Sequence, residues 1–90
     1  MSGCSKTIEI TNRRGLHARA SAKFVNVASG LSAKVEVEKD GNRVVGTSIM
    51  GLMMLGAALG DSITIYCEGD GCDQAIAELA ALVEGRFGEE

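Results

Sequence analysis

The chain has 90 residues, of which 46% are hydrophobic and 23% charged, and its formal net charge is −3. This length predicts one folded domain over residues 1–90 with a small core, which leaves little room for a deep catalytic cleft. The acidic charge and the presence of only three aromatic residues argue against nucleic acid as a ligand. Phosphate backbones favour basic surfaces, and bases stack on aromatic rings.

The first predicted elements in chain order are a strand and a helix. Residues 5–11 alternate between apolar and polar positions, as a strand with one buried face does. After a basic turn, residues 18–29 repeat apolar side chains at four-residue spacing, which predicts a helix. Gly30 then predicts a left-handed stop to that helix. The core-facing positions expected in these two elements are Ile8, Ile10, Ala20, Phe24, Val25 and Ala28.

A hairpin is predicted next. Residues 33–39 alternate cleanly, and residues 42–46 form a second strand that returns beside them. Asp40-Gly41 between them favours a two-residue turn, because both residues tolerate positive φ. The side chains of this hairpin expected to face the core are Val35 and Val37.

The last elements are a short helix, a strand and a longer helix. The short helix runs to about residue 55 and is capped by Thr47 or Ser48. Residues 62–68 alternate as a strand, and residues 72–86 carry an apolar stripe at helical spacing. The stripe consists of Ile76, Leu79, Ala80, Leu82 and Val83. The order β-α-β-β-α-β-α predicts the α+β class, with helices covering one side of an antiparallel sheet.

The cysteines and the apolar segments indicate a cytoplasmic protein without membrane insertion. The first six residues lack the apolar stretch of a signal peptide, so none is expected here, and the longest apolar run, residues 49–60, is shorter than the roughly 20 residues that span a bilayer. Cys4, Cys67 and Cys72 form no C-x-x-C pair. Each is predicted to be an ordinary reduced thiol rather than a metal ligand or a disulfide partner.

His17, the only histidine, falls where the first turn meets the first helix. A side chain at a helix start meets free backbone N–H groups and the positive end of the helix dipole. Both favour a neutral, nucleophilic imidazole and an attached phosphate. Arg19 can add a charge-assisted contact to phosphate oxygens, and Arg13 and Arg14 make the loop basic. On spacing alone, a surface histidine that only caps the helix is the alternative.

Ser48 is predicted to place its hydroxyl at the start of the short helix, as a plain cap or as a phosphate acceptor. The helix behind it is apolar on nearly every side, and a short helix on a small sheet can hardly bury them all. The residues expected to stay available to a partner are Ile49, Met50 and Met53. No paired carboxylates and no glycine-rich phosphate loop accompany these residues.

Two segments resemble a known family. G-L-H-A-R-A-S-A-K-F-V at residues 15–25 and S-I-M-G-L-M-M-L at residues 48–55 are similar to HPr, the phosphocarrier of the bacterial phosphotransferase system. The order of the predicted elements resembles that family too. The resemblance extends from Thr7 to about Arg86, and it favours the phosphate-carrying interpretation of His17 over the capping one.

The resemblance implies an open-faced β-sandwich, with a four-stranded antiparallel sheet and three helices on one face. It implies a monomeric carrier rather than an enzyme, with no cofactor and no metal. Enzyme I, charged by phosphoenolpyruvate, would phosphorylate Nδ1 of His17, and a IIA-type protein of sugar transport would receive the group. Arg19 matches the arginine beside the phosphate, and Ser48 matches a serine that HPr kinase/phosphorylase modifies with ATP. The implied docking surface consists of Ala18, Arg19, Ala22, Ile49, Met50 and Met53.

One position departs from the family pattern, because Ala20 stands where the family usually has proline. Proline near a helix start fixes φ at little cost, whereas alanine is an excellent helix former. The helix is therefore expected to begin at the same place, with a less rigid site.

Three alternatives stay open. Within the family, the turn before His17 and the ending at residues 84–90 resemble NPr, the carrier of the nitrogen-regulatory branch. The element order also suits small ferredoxin-like metal carriers, although the first loop lacks their cysteine pair. The third alternative is an interaction module in which His17 has no chemical role.

Overall fold

The computed structural model describes residues 3–89, and its helices and strands follow the predicted order. The strands are β1 (Gly3–Glu9), β2 (Lys34–Lys39), β3 (Asn42–Val45) and β4 (Ser62–Glu68). The helices are α1 (Ala18–Ser29), α2 (Ile49–Met54) and α3 (Cys72–Glu84), followed by a 3₁₀ turn at Arg86–Gly88.

The four strands form one antiparallel sheet in the order β1-β4-β2-β3. Alternate residues of β2 and β4 are buried beneath the helices, and the residues between them face the uncovered side. On that uncovered side the hydroxyls of Thr7 and Thr64 lie 2.9 Å apart across β1 and β4. The architecture is the predicted open-faced β-sandwich.

The core lies between the sheet and the helices. Helix α3 packs on β1 and β4, while α1 and α2 contact each other. The largest fully buried side chains in residues 3–89 include Phe24, Phe87, Ile10, Leu52, Ile63, Ile65 and Leu79. The core positions predicted for β1 and α1 are confirmed at Ile8, Ile10, Ala20, Phe24 and Ala28, while Val25 is half-buried.

The predicted hairpin is confirmed. Asp40 and Gly41 connect β2 to β3 with φ values of 52° and 85°, as a turn with two left-handed residues requires. Val35 and Val37 are buried, as their alternation predicts.

Two helix ends differ from the prediction. Gly30 is not left-handed: its φ is −85°, and α1 closes in a tighter turn, with N–H groups of Gly30 and Leu31 donating to carbonyls three residues back. Helix α3 ends at Glu84 rather than near residue 86, because the chain turns back at Gly85. In the stripe of α3, Leu79, Ala80 and Val83 are buried, whereas Ile76 and Leu82 are only half-buried.

Strand β1 begins earlier than predicted and carries a cysteine into the core side of the sheet. Cys4 pairs in the ladder with Cys67, and its sulfur is bonded to that of Cys72, the first residue of α3. The prediction of reduced thiols at Cys4 and Cys72 is therefore wrong. The sequence could not show it, because the two cysteines are 68 positions apart and come together only when α3 packs on β1. Cys67 is a free, buried thiol, as predicted.

Within residues 3–89 no helix combines the length and the apolar character needed to cross a membrane.

Candidate functional site at the start of helix α1

His17 is the N-cap residue of α1. Its backbone is extended, at φ −75° and ψ −178°, while its carbonyl accepts the first helical hydrogen bond from the N–H of Ser21 at 2.9 Å. Its ring turns back over the helix end, where Nδ1 accepts the backbone N–H of Arg19 at 3.2 Å. The imidazole therefore lies among the free N–H groups and at the positive pole of the helix.

The other ring nitrogen contacts a carboxylate from the far end of the chain. Nε2 of His17 lies 2.5 Å from Oε2 of Glu89, and the two side chains are 17% and 19% exposed. An ionised carboxylate only accepts hydrogen bonds, so Nε2 is the donor. Since Nδ1 accepts from Arg19, the partners assign the proton to Nε2 and the lone pair to Nδ1. The nucleophilic nitrogen is thus the one at the helix terminus.

Glu89 reaches His17 because the chain doubles back after α3. Arg86, Phe87 and Gly88 have φ values of 59°, 54° and 76°, which is a sharp left-handed turn. Phe87 is fully buried, and its carbonyl accepts a hydrogen bond from Nζ of Lys23 in α1 at 2.7 Å. The buried ring and this hydrogen bond fasten the C-terminal segment to α1.

Asn12 joins this segment to the turn before His17. Its side chain is 1% exposed, and its Nδ2 donates to the carbonyl of Gly15 at 2.9 Å and to Oε1 of Glu89 at 3.1 Å. The hydrogen bond from His17, and secondly that from Asn12, lower the pKa of Glu89 below its ordinary value. Glu89 is therefore a carboxylate near neutral pH, held between an imidazole and an amide.

The turn before His17 packs on the segment that follows α2. The N–H of Leu16 donates to the carbonyl of Ala57 at 2.9 Å. Gly15 has a φ of +64°, and a Cβ there would lie 2.3 Å from the same carbonyl oxygen. Glycine is required at this position for both reasons. This contact holds the turn of His17 against the chain leaving α2, so the two motifs become neighbours in space.

Three exposed arginines lie within four residues of His17 in the chain. Arg13, Arg14 and Arg19 are exposed, and in residues 3–89 none of them forms a salt bridge. Their guanidinium groups make the exposed surface of the turn before His17 and of the start of α1 positive. Such a surface attracts an anion, and arginine suits phosphate oxygens in particular.

Ser48 is the N-cap of α2, and its Oγ accepts the N–H of Gly51 at 3.0 Å. Leu52 of α2 is fully buried, but most of the other apolar side chains near it are not. We call the exposed ones the α2 patch: Val45, Ile49, Met50, Met53, Met54 and Leu59. The exposure predicted for Ile49, Met50 and Met53 is confirmed, and the structure adds the other three.

The structure brings most of the predicted site residues into one region. Helix α1, which carries the exposed Ala18 and Arg19 and the half-buried Ala22, contacts α2, which carries Ile49, Met50 and Met53. Sequence reasoning missed Asn12, Lys23 and Glu89. One signal could have indicated Lys23 and Glu89. Phe87 is a rare aromatic among charged residues and glycines, which predicts that the C-terminal segment packs back onto the core, close to both residues.

Comparisons with known proteins agree on one family. The family model for the PTS HPr component phosphorylation site matches residues 4–85. A phosphocarrier protein HPr of Neisseria meningitidis is 52% identical over 84 residues, which are 93% of this chain and 94% of that protein. A phosphocarrier protein NPr of Shewanella violacea is 33% identical over 89 residues, covering 99% and 98% of the two chains. The crystal structure of HPr-C-His from Thermoanaerobacter tengcongensis has a TM-score of 0.92 and 47% identity, over 97% of this chain and 98% of that one.

Proposed function

Since the chain belongs to the HPr family of phosphocarriers of the phosphotransferase system, we propose that it accepts a phosphoryl group on Nδ1 of His17 and passes it on. The donor is enzyme I charged by phosphoenolpyruvate, and the acceptor is a IIA-type protein. The chain acts in the cytoplasm as a monomeric, stoichiometric carrier. The observation that supports this most directly is the lone pair of Nδ1 at a helix N-terminus, with its ring fixed by Glu89.

The transfer follows from the contacts of the ring. The Nδ1 lone pair attacks the phosphorus, and the N–P bond forms while the bond to the donor breaks, its electron pair staying with the donor. The proton on Nε2 is retained, so the ring gains positive charge, and the carboxylate of Glu89 balances it. The N–H of Arg19 then turns from Nδ1 to a phosphoryl oxygen. The guanidinium of Arg19 contributes a second, charge-assisted contact.

Partner docking uses the surface next to the reacting nitrogen. The α2 patch supplies apolar contact, with Ala18 and Ala22 beside it, and the arginines near His17 steer acidic partners. A carrier must serve successive partners one at a time, which suits a modest interface with fast dissociation. Each partner supplies the other half of the active site.

Ser48 is the proposed regulatory acceptor, modified by an HPr kinase/phosphorylase with ATP. A phosphate on its Oγ brings about −1.5 to −2 charges, which the N-terminus of α2 tolerates. The same charge would lie beside the α2 patch, where it disfavours apolar docking. Incubation with the kinase and ATP should label the protein but not the Ser48→Ala variant; label that survives this substitution would refute the assignment.

The experiment that tests the carrier function is phosphorylation by enzyme I and phosphoenolpyruvate, read by intact mass at alkaline pH. The wild-type chain should gain the mass of one phosphoryl group, on the His17 peptide. His17→Ala should gain none, whereas Ser48→Ala, the matched control, should gain it normally. A phosphorylated His17→Ala protein, or an unreactive wild type, would overturn the proposal and leave an interaction module.

A second candidate within the family is the nitrogen-regulatory branch, favoured by the similarity to an NPr over nearly the whole chain. The phosphorylated protein can be offered separately to a IIA protein of sugar uptake and to one of the nitrogen-regulatory branch. Faster transfer to the first supports the sugar branch, and faster transfer to the second supports the NPr-like function.

A further inference from the structure

The two cysteines joined across the fold lie where a reversible bond can form. The Cα atoms of Cys4 and Cys72 are 6.0 Å apart, within the range that disulfides span without backbone movement. We propose that Cys4 and Cys72 are a dithiol–disulfide pair, oxidised by low-molecular-weight disulfides such as oxidised glutathione, that fastens edge strand β1 to α3. This inference does not depend on phosphoryl transfer. Only its reversibility rests on the proposed cytoplasmic location, where disulfides are characteristically transient.

The two cysteines differ in solvent exposure and in local charge, so they have different roles in the reaction. Cys4 is half-buried and within reach of a small oxidant, whereas Cys72 is 7% exposed. Cys72 is the first residue of α3, and its N-cap, Gly71, has no side chain to occupy the helix N–H groups. Free N–H groups and the helix dipole stabilise a thiolate at this position. Cys4 is thus the accessible thiol and Cys72 the one that resolves it.

Cys67 provides the contrast within the same chain. It is paired with Cys4 in the ladder and therefore lies on the same side of the sheet, but it is 2% exposed. Burial raises the pKa of the Cys67 thiol, which keeps it protonated. A buried, protonated thiol is inert toward small disulfides. Cys67 should therefore stay free in both states of the protein.

Asp73 restrains the reaction. Its Oδ1 lies 3.0 Å from Sγ of Cys4, so after reduction of the bond the Cys4 thiol can donate its proton to this carboxylate. A carboxylate at that distance opposes the formation of a Cys4 thiolate. Replacing Asp73 by the neutral asparagine should therefore speed oxidation while leaving both cysteines in place.

Oxidised glutathione converts the two thiols to the disulfide in two exchange steps. The Cys4 thiolate attacks one sulfur of oxidised glutathione, so a mixed disulfide forms and one reduced glutathione leaves. The Cys72 thiolate then attacks the Cys4 sulfur, forming the protein disulfide and releasing the second glutathione. Two protein thiols are oxidised, and one glutathione disulfide is reduced to two thiols.

The consequence is a stability switch located away from His17. The bond joins residues 68 positions apart and holds β1, an outer strand of the sheet. Cys4 lies near the start of β1, and the turn to His17 leaves from the other end of the strand, about 17 Å from Cys4 at the rise of an extended strand. Oxidation should therefore stabilise the fold and leave phosphoryl acceptance unchanged.

The first test titrates the full-length protein in glutathione redox buffers, alkylates the free thiols and maps the peptides by mass. We expect one transition that protects Cys4 and Cys72 together while Cys67 stays alkylated. Asp73→Asn should reach the oxidised state several-fold faster. Persistent alkylation of both cysteines in excess oxidised glutathione, or glutathione left on Cys4 alone, would overturn the proposal. So would binding of one Zn²⁺ by the reduced protein that blocks its oxidation, because the pair would then be a metal site.

The second test compares melting temperatures of oxidised and reduced protein. The disulfide should raise Tm by about 10 °C or more in a domain of this size. Cys4→Ser should abolish the redox difference, and Cys67→Ala, the matched control, should keep it. Equal Tm values for the two redox states of the wild type would refute a role in fastening β1.

Discussion

Two helix N-termini in this molecule use the same capping device with different support. At α1, Nδ1 of His17 accepts an N–H two residues on, and at α2, Oγ of Ser48 accepts one three residues on. The cap of Ser48 needs only residues 48–51. The ring of His17 is also held through Nε2 by Glu89, which is 72 residues away in sequence. One terminus is a local motif, and the other is an assembly of distant parts.

The two sites are therefore sensitive to substitutions in different parts of the chain. Ser48 depends on a few contiguous residues and is surrounded by exposed apolar side chains, so it needs little else to keep its geometry. His17 depends on the turn at Gly15, on Asn12 and on the C-terminal segment. Substitutions far from His17 in sequence should therefore change the orientation of its imidazole ring while leaving the cap of Ser48 intact.

The largest effect is expected from Phe87→Ala, which breaks the distant support. Phe87 is fully buried, so the truncation should cost about 3–5 kcal/mol of unfolding free energy in urea. The ¹⁵N shifts of the His17 ring should also change, because Glu89 loses its anchor. Leu79→Ala, equally buried in α3, is the control: it should destabilise comparably and leave those shifts unchanged. Unchanged ¹⁵N shifts of the His17 ring in Phe87→Ala would contradict the role of the C-terminal segment in holding the ring.

Gly15→Ala comes next and tests the other support of His17. The left-handed φ costs a side chain about 1–2 kcal/mol, and the contact with the carbonyl of Ala57 adds to it. We expect at least about 2 kcal/mol of destabilisation and slower phosphoryl acceptance. Gly56 has the same φ of +64° but open space around it. Gly56→Ala should therefore cost less and accept phosphate normally; equal effects from both variants would argue against the close contact.

Substitutions at Ser48 test the locally formed cap of α2. Ser48→Ala should cost about 1 kcal/mol through the lost cap and leave the His17 ring unchanged. Ser48→Asp keeps a cap but places a charge beside the α2 patch, so enzyme I should bind roughly tenfold more weakly, about 1.4 kcal/mol. Ser48→Asn caps without charge and serves as the control in a calorimetric titration. Equal weakening by Asn and Asp would rule out an electrostatic cause.

The smallest effect is the pH dependence carried by Glu89. Its pKa is lowered by the hydrogen bonds from His17 and Asn12, so the ionised group stabilises the fold above the ordinary glutamate pKa of about 4.3. That contribution is lost as the pH falls through the lowered value. The Tm of the wild type should exceed that of Glu89→Gln at neutral pH, and the gap should close only below about pH 4.3. A gap independent of pH would exclude the carboxylate charge as its source.

The features that sequence reasoning predicted correctly are the local ones. The order of elements, the left-handed turn at Asp40 and Gly41 and the cap at Ser48 depend on periodicity and on residues a few positions apart. The errors also have physical reasons. Gly30 can adopt a left-handed stop but need not, and α1 closed with a tighter turn instead.

Contiguous patterns in the chain are enough to predict which segments become helix or strand and that His17 begins a helix. Packing between distant segments sets the partner of Nε2, the close approach of Gly15 to Ala57 and the bond between Cys4 and Cys72. The last pair and the Glu89–His17 contact join residues about 70 positions apart, and packing of the helices on the sheet sets such distances. The sequence predicts a lone imidazole at a helix start, whereas the contacts that orient it form only in the folded protein.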